Sequence, residues 1–232
     1  MKMKKILFYI MAAALSLLAL ESCNKVTTEG KTRITYYPVI ELVGGDVVLP
    51  LGQTYSEPGY AATLNGENVT DKVEVSNNIK DVAGAYTVSY SMTNADGFAS
   101  AVKRNVFVTN GTAFDNFYFA DTKFGTRAYY GAPVTISKNS DGTYTIDDLL
   151  CGFYWYGRYP GYEPTYDFHN ESIIKLNADN TITLVEQGDW YFGPAGITIT
   201  SSKYDPAAGT IEMEYDFEGD PFYVSMAVPT AE

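Results

Sequence analysis

Between residues 86 and 92 apolar and polar side chains alternate strictly. Tyr86, Val88, Tyr90 and Met92 are separated by Thr87, Ser89 and Ser91. Successive strand side chains point to opposite faces, so this pattern specifies a half-buried β-strand and no other element. Asn94-Ala95-Asp96-Gly97 supplies turn chemistry, and 102–108 continues as a second strand, giving a hairpin. Upstream, 38–42 and 60–64 read as further short strands. Short strands at this spacing, with no 3.6-residue periodicity, predict a sandwich over 34–109.

Asn110-Gly111-Thr112 is a turn-rich junction, and the pattern beyond it is again β. Strands are expected at 114–119, 134–137, 143–147, 149–156, 173–176, 181–185, 197–201, 210–217 and 222–228. Asn139-Ser-Asp-Gly, Asn177-Ala-Asp-Asn and Asp205-Pro-Ala-Ala-Gly mark turns between them. The expected architecture is therefore all-β: one sandwich, then a second antiparallel sandwich or flattened barrel over 113–232.

The N-terminus has a different character. Lys2, Lys4 and Lys5 precede a 15-residue apolar run, 6–20, and then Leu20-Glu21-Ser22-Cys23. That is the layout of an export signal, and a spanning helix would need about 20 residues. The tail resembles the lipobox of bacterial lipoproteins, although Glu21 stands where a small residue is usual. The resemblance implies cleavage before Cys23, acylation of Cys23, a membrane hold through lipid alone, and 23–33 as a polar tether.

Pro38-Val-Ile-Glu-Leu, Gln53-Thr-Tyr-Ser-Glu-Pro-Gly-Tyr, Gly84-Ala-Tyr-Thr-Val-Ser-Tyr and Asn94-Ala-Asp-Gly-Phe resemble a bacterial immunoglobulin-like domain of Bacteroides-type surface lipoproteins. In that family the domain acts as a spacer. Gly142-Thr-Tyr-Thr-Ile-Asp-Asp-Leu-Leu-Cys-Gly-Phe-Tyr and Ile174-Lys-Leu-Asn-Ala-Asp-Asn-Thr-Ile resemble the uncharacterised C-terminal β-domain that accompanies such a spacer. Lipoproteins of this kind are encoded near SusC/SusD-like polysaccharide-utilisation systems. The resemblance implies an outer-membrane, cell-surface location and a transport complex as partner, but no catalytic residues.

Charge and cysteine usage narrow the chemistry. The first 22 residues hold three lysines and one glutamate, so 13 basic residues face 27 acidic ones from Cys23 onward, a formal charge of −14. Such a balance argues against nucleic acid and against electrostatic docking on anionic lipid. Cys151 is the only other cysteine, which excludes an intramolecular disulfide and cysteine-rich metal sites. No cofactor is expected. Asn139-Ser-Asp-Gly and Asp216-Phe-Glu-Gly-Asp lack calcium-loop spacing and read as turns.

The segment 151–168 holds eight aromatic residues. If 149–156 is a strand, Leu149, Cys151, Phe153 and Trp155 face the core, and Tyr154 and Tyr156 face outward or against a second layer. In 157–170, Pro160, Gly161 and Pro164 preclude helix and central strand and impose a loop. Tyr159, Tyr162 and Tyr166 on that loop, with Arg158 and Asp167, are candidates for glycan binding: rings cover the apolar face of a sugar while charged groups bond its hydroxyls. The alternative is that these tyrosines seal the end of the barrel. Trp190, in Gln187-Gly-Asp-Trp-Tyr-Phe-Gly-Pro, is a second candidate platform or else a corner plug.

Catalysis is poorly supported. His169 is the sole histidine, no nucleophile-elbow motif occurs, and the carboxylates Asp147, Asp148, Glu163, Asp167 and Glu171 form no recognisable pair. The expected function is non-catalytic binding of a polysaccharide or oligosaccharide. A structural or protein-interaction subunit of an outer-membrane complex is the alternative.

Overall fold

The computed structural model describes residues 34–162, 165–193 and 196–230. Cys23 and the leader lie outside them. Strands β1 (Val39–Leu42), β3 (Tyr60–Leu64) and β4 (Glu67–Asn68) form one antiparallel sheet. Strands β2 (Val47–Pro50), β7 (Ala99–Thr109), β6 (Gly84–Thr93) and β5 (Glu74–Asn77) form a second, in that order. The hairpin read from the alternation is β6–β7, with Tyr90 opposite Val102. Its turn is held by the Asn94 carboxamide, which accepts from the backbone N–H groups of Asp96 (3.0 Å) and Phe98 (2.8 Å).

The face predicted to be apolar is buried. Val88, Tyr90 and Met92 of β6 and Val106 and Val108 of β7 meet Ile40 of β1 and Ala62 of β3 across a sandwich core. Strand β2 was not legible: it joins β7 in parallel, with Leu49 opposite Val108, a pairing no local pattern announces. Arg104 of β7 is also in this interior, with its side chain fully buried.

The chain beyond residue 113 forms an eight-stranded antiparallel sheet. It comprises β8 (Phe117–Phe124), β9 (Arg127–Lys138), β10 (Tyr144–Ile146), β11 (Ser172–Leu176), β12 (Ile182–Glu186), β13 (Ile197–Asp205), β14 (Thr210–Phe217) and β15 (Asp220–Ala227). The order is β12-β11-β10-β9-β8-β15-β14-β13, so the meander closes through its first and last strands. Only the β12–β13 seam lacks a ladder. There the Ser202 hydroxyl accepts from Ile182 N–H (2.8 Å) and donates to Ile182 C=O (3.0 Å), while Tyr204 N–H donates to Asn180 C=O (2.9 Å).

The result is a nearly closed barrel. Its interior is filled by Tyr118, Val134, Ile136, Ile174, Ile211, Tyr215, Phe222 and Met226. Outside both cores, the Phe107 ring stacks on Phe117 at 5.4 Å and meets Phe119 edge-on at 5.0 Å.

The expected strand 149–156 is absent. Cys151 and Gly152 both adopt left-handed backbone, with φ of 49° and 75°, which ends any extended run. A π-helical turn, Phe153–Arg158, follows, with Tyr159 N–H donating to Tyr154 C=O at 2.8 Å. Gly152 and Gly157 make this turn possible. A Cβ on Gly152 would lie 2.3 Å from the Ala132 Cβ, and one on Gly157 would lie 2.2 Å from the Tyr129 ring. Leu149, Leu150, Cys151, Gly152 and Phe153 are buried one after another, a pattern of packing against β9 and not of a pleat.

Candidate functional site

Three chain segments converge beside the barrel core: the π-helical turn, the stretch 165–170 and the turn 187–193. A buried polar relay fastens them. The Asp148 carboxylate accepts from the backbone N–H groups of Leu150 (3.0 Å), Gly152 (2.7 Å) and Asn170 (3.1 Å). The Asn170 carboxamide donates to Gly188 C=O (2.9 Å) and accepts from the Ser172 hydroxyl (2.9 Å). That hydroxyl in turn accepts from Gly188 N–H at 3.1 Å. Asp148, Asn170 and Ser172 are at most 2% exposed, so each bond is made away from water, where an unmade one is costly.

Burial pushes the Asp148 carboxyl above its usual range despite these donors. Burial likewise raises the neighbouring Asp147 from 3.8 to about 6, although its carboxylate accepts from Thr135 N–H at 3.0 Å. Folded Asp147 thus holds its proton to higher pH than the unfolded chain. Its stabilising contribution is complete below about pH 4 and is lost as pH rises through about 6. Asp147→Asn keeps the accepting oxygen without the charge. The variant should match the parent near pH 4 and exceed it by about 2 kcal/mol near pH 7, as read from urea midpoints at both values.

On this frame the rings of Tyr159, Tyr162, Tyr166 and Phe168 form one patch with those of Tyr191 and Phe192. Phe168, 4% exposed, is at the centre. Tyr159 stacks on it at 4.9 Å, Tyr191 meets it at 5.1 Å, Phe192 at 5.6 Å, Tyr162 at 6.2 Å and Tyr166 at 6.3 Å. The five outer rings also touch in a circuit: Tyr159–Tyr162 at 5.9 Å, Tyr162–Tyr166 at 6.0 Å, Tyr166–Tyr191 at 5.3 Å, Tyr191–Phe192 at 5.0 Å and Phe192–Tyr159 at 6.0 Å. Four of the five face water: Tyr162 is 52% exposed, Tyr166 39%, Tyr191 51% and Phe192 52%.

The remaining expected residues fall differently. Trp190 is half-buried beneath the patch, against Tyr154 (4.8 Å) and Phe217 (5.8 Å), and its indole N–H donates to Phe168 C=O at 3.2 Å. It is a plug under the platform. Trp155 is not a core residue either. With the strand replaced by a π turn, its indole swings onto His169, with ring centroids 3.4 Å apart. Tyr154, expected outward or against a second layer, packs on the barrel core.

The Arg158 guanidinium lies 5.4 Å from the Tyr159 ring centroid. The Asp167 carboxylate is taken up locally, accepting from His169 N–H at 2.9 Å and bonding its Nδ1 at 3.0 Å. Glu163 lies outside the described residues. Cys151 is fully buried, and burial pushes its thiol well above the usual range, which makes it inert. Tyr191 and Phe192 were visible in sequence only as neighbours of Trp190. Phe168 carried no signal separating it from the exposed rings around it.

A family model described as "-like, C-terminal domain" matches residues 74–227. The chain belongs to that family. Among solved structures it is similar to the lipoprotein BT2262 of Bacteroides thetaiotaomicron, at 28% identity and a TM-score of 0.54, over 83% of this chain and 100% of that one. It also aligns with the M60 catalytic domain carrying CBM51-1 and CBM51-2 from Clostridium perfringens ZmpB, at 18% identity over 74% of this chain and 14% of that one, with a TM-score of 0.29. A TM-score this low carries no argument about the site. No curated protein matches the chain. Among the described residues, no helix is long and apolar enough to cross a membrane.

Proposed function

We propose that this protein is a non-catalytic lipoprotein, acylated at Cys23 and held at the outer-membrane surface, that binds glycan as an accessory to polysaccharide uptake. Residues 34–109 act as an immunoglobulin-like spacer, and the region 113–232 carries the binding surface. Similarity to a Bacteroides lipoprotein along the whole length of that chain supports the anchored class.

The observation that carries the glycan reading is the circuit of five rings around Phe168, four of them open to water. Exposed aromatics gathered in one patch mark interaction surfaces. Tyrosines suit sugars because each ring offers an apolar face beside a hydroxyl. Rigidity adds to this, since a ring held by its neighbours loses little freedom on binding.

The chain from residue 24 onward should be retarded in native gels containing at least one polysaccharide of a broad set. Tyr162→Ala should weaken that retardation by roughly tenfold in apparent affinity. If no polysaccharide slows the protein, or if Tyr162→Ala and Phe192→Ala both leave the shift unchanged, the patch is not a glycan site.

A further inference from the structure

Away from the aromatic patch, the outer face of the barrel carries a groove of about 420 Å³ running across β9, β8, β15, β14 and β13. That volume is in the range of ligand sites. Two β-bulges frame it. The register slips between Ala120 and Thr122 where β8 pairs β9, and between Ile199 and Ser201 where β13 pairs β14. Bulges bend a strand and increase its twist, so these two shape the flanks of the groove. Gly131 N–H locks the first bulge by donating to the Asp121 carboxylate at 2.9 Å.

Register then dictates what lines the floor. One cross-strand row reads Lys123 opposite Tyr223, Tyr223 opposite Glu214, and Glu214 opposite Ser201. The next reads Asp121 opposite Ser225, Ser225 opposite Glu212, and Glu212 opposite Lys203. Tyr223 is therefore flanked on one strand by an ammonium and on the other by a carboxylate. Tyr130 of β9, 77% exposed, forms the wall at one end.

Among the described residues, none of these lysines is ion-paired to a carboxylate, even though Lys203 and Glu212 sit directly opposite. Apart from Asp121, which accepts from Gly131 N–H, the charged groups stand free around an apolar ring face, the complement of a pyranose with its apolar C–H face and peripheral hydroxyls. Five strands span about 19 Å, which fits an extended oligomer better than a single sugar. Three carboxylates against two ammonium groups disfavour an anionic chain.

We infer that this groove is a second binding site, separate from the ring patch, for a neutral extended oligosaccharide, with Tyr223 as its central platform and Lys123 and Glu214 bonding the hydroxyls on either side. It stands on its own residues, and its test disables the patch first. Cellohexaose, maltohexaose, xylohexaose and mannohexaose, with an oligogalacturonate as the acidic comparison, are titrated calorimetrically into the chain from residue 24 carrying Tyr162→Ala.

At least one neutral hexasaccharide should bind, and the oligogalacturonate should bind more weakly. Adding Tyr223→Ala should raise the Kd about tenfold, and Glu214→Gln should raise it by a smaller factor. Tyr223 and Tyr130 are exposed, so unchanged thermal midpoints will show that the variants remain folded. Should Tyr223→Ala shift the midpoint, Tyr130→Ala provides the same reading. The inference is overturned if no neutral hexasaccharide binds the patch-disabled chain, or if Tyr223→Ala and Tyr130→Ala leave the Kd unchanged. Binding by the parent chain that vanishes with Tyr162→Ala alone would leave the patch standing and remove the groove.

Discussion

Arg104→Ala should lower the stability of the sandwich by about 3–5 kcal/mol, since each carbonyl that loses its donor away from water costs about 1–3 kcal/mol and three lose it together. Arg104 has a fully buried side chain, and each part of its guanidinium is engaged. Nε donates to the Tyr90 hydroxyl (3.2 Å), and Nη1 donates to Val43 C=O (3.0 Å) and Gly45 C=O (2.9 Å). Nη2 donates to Gly59 C=O (2.8 Å) and to the Glu57 carboxylate (3.2 Å). The residue ties the middle of β7 to the β1–β2 connection and to the Glu57-Pro58-Gly59 corner.

Alanine would leave three backbone carbonyls without this donor, besides a cavity, while the Glu57 carboxylate would keep the Tyr55 and Tyr90 hydroxyls and Gly59 N–H. Arg104→Lys should recover only part of the loss, since a single ammonium cannot reproduce the planar fork. Urea unfolding followed by circular dichroism reads both variants. A loss under about 1 kcal/mol for alanine would show that the network is dispensable.

Gly188→Ala should cost about 3 kcal/mol and abolish the proposed glycan binding at the ring patch while the barrel remains folded. The added Cβ would sit 1.7 Å from the Glu171 carbonyl oxygen and 2.9 Å from its carbon. Both obstacles are backbone, so no side-chain rotation relieves the clash, and the turn 187–193 must lift away. Lifting breaks the bonds from the Asn170 carboxamide to Gly188 C=O and from Gly188 N–H to Ser172. Trp190, Tyr191 and Phe192 leave with it, and Phe168 loses three of its ring neighbours or bonds.

The barrel ladder from β8 to β15 shares with this turn only Ser172, at the start of β11, and there through its hydroxyl and not its backbone. Far-ultraviolet dichroism should therefore be close to the parent's, while the near-ultraviolet aromatic signal and the gel shift are lost. Retained polysaccharide binding in a folded Gly188→Ala chain would mean that the 187–193 turn does not build the surface.

The hairpin, most strands of the barrel and the turns between them were readable because their causes are local: period-two alternation, Asn/Asp/Gly turn chemistry and short spacing act within a dozen residues. The stretch 149–156 departs from the expected strand because the run 149–153, buried throughout, fits a buried strand and a buried turn equally well. What decides between them is left-handed backbone at Cys151 and Gly152, beside β9, where a Cβ on Gly152 would meet Ala132.

Of the expected loop 157–170, Gly157 and Arg158 belong to the π-helical turn, and nothing in the rest announces that residues 187–193 lie alongside. What the sequence by itself determined is the all-β class, the central hairpin and the presence of two aromatic segments. The tertiary structure decided the parallel β2–β7 pair, the closure of β8 on β15, the burial of Arg104 and Asp148, and which rings reach water. Each of these depends on partners distant in the chain, whose meeting is governed by the free energy of the whole packed core and not by the propensities of either segment.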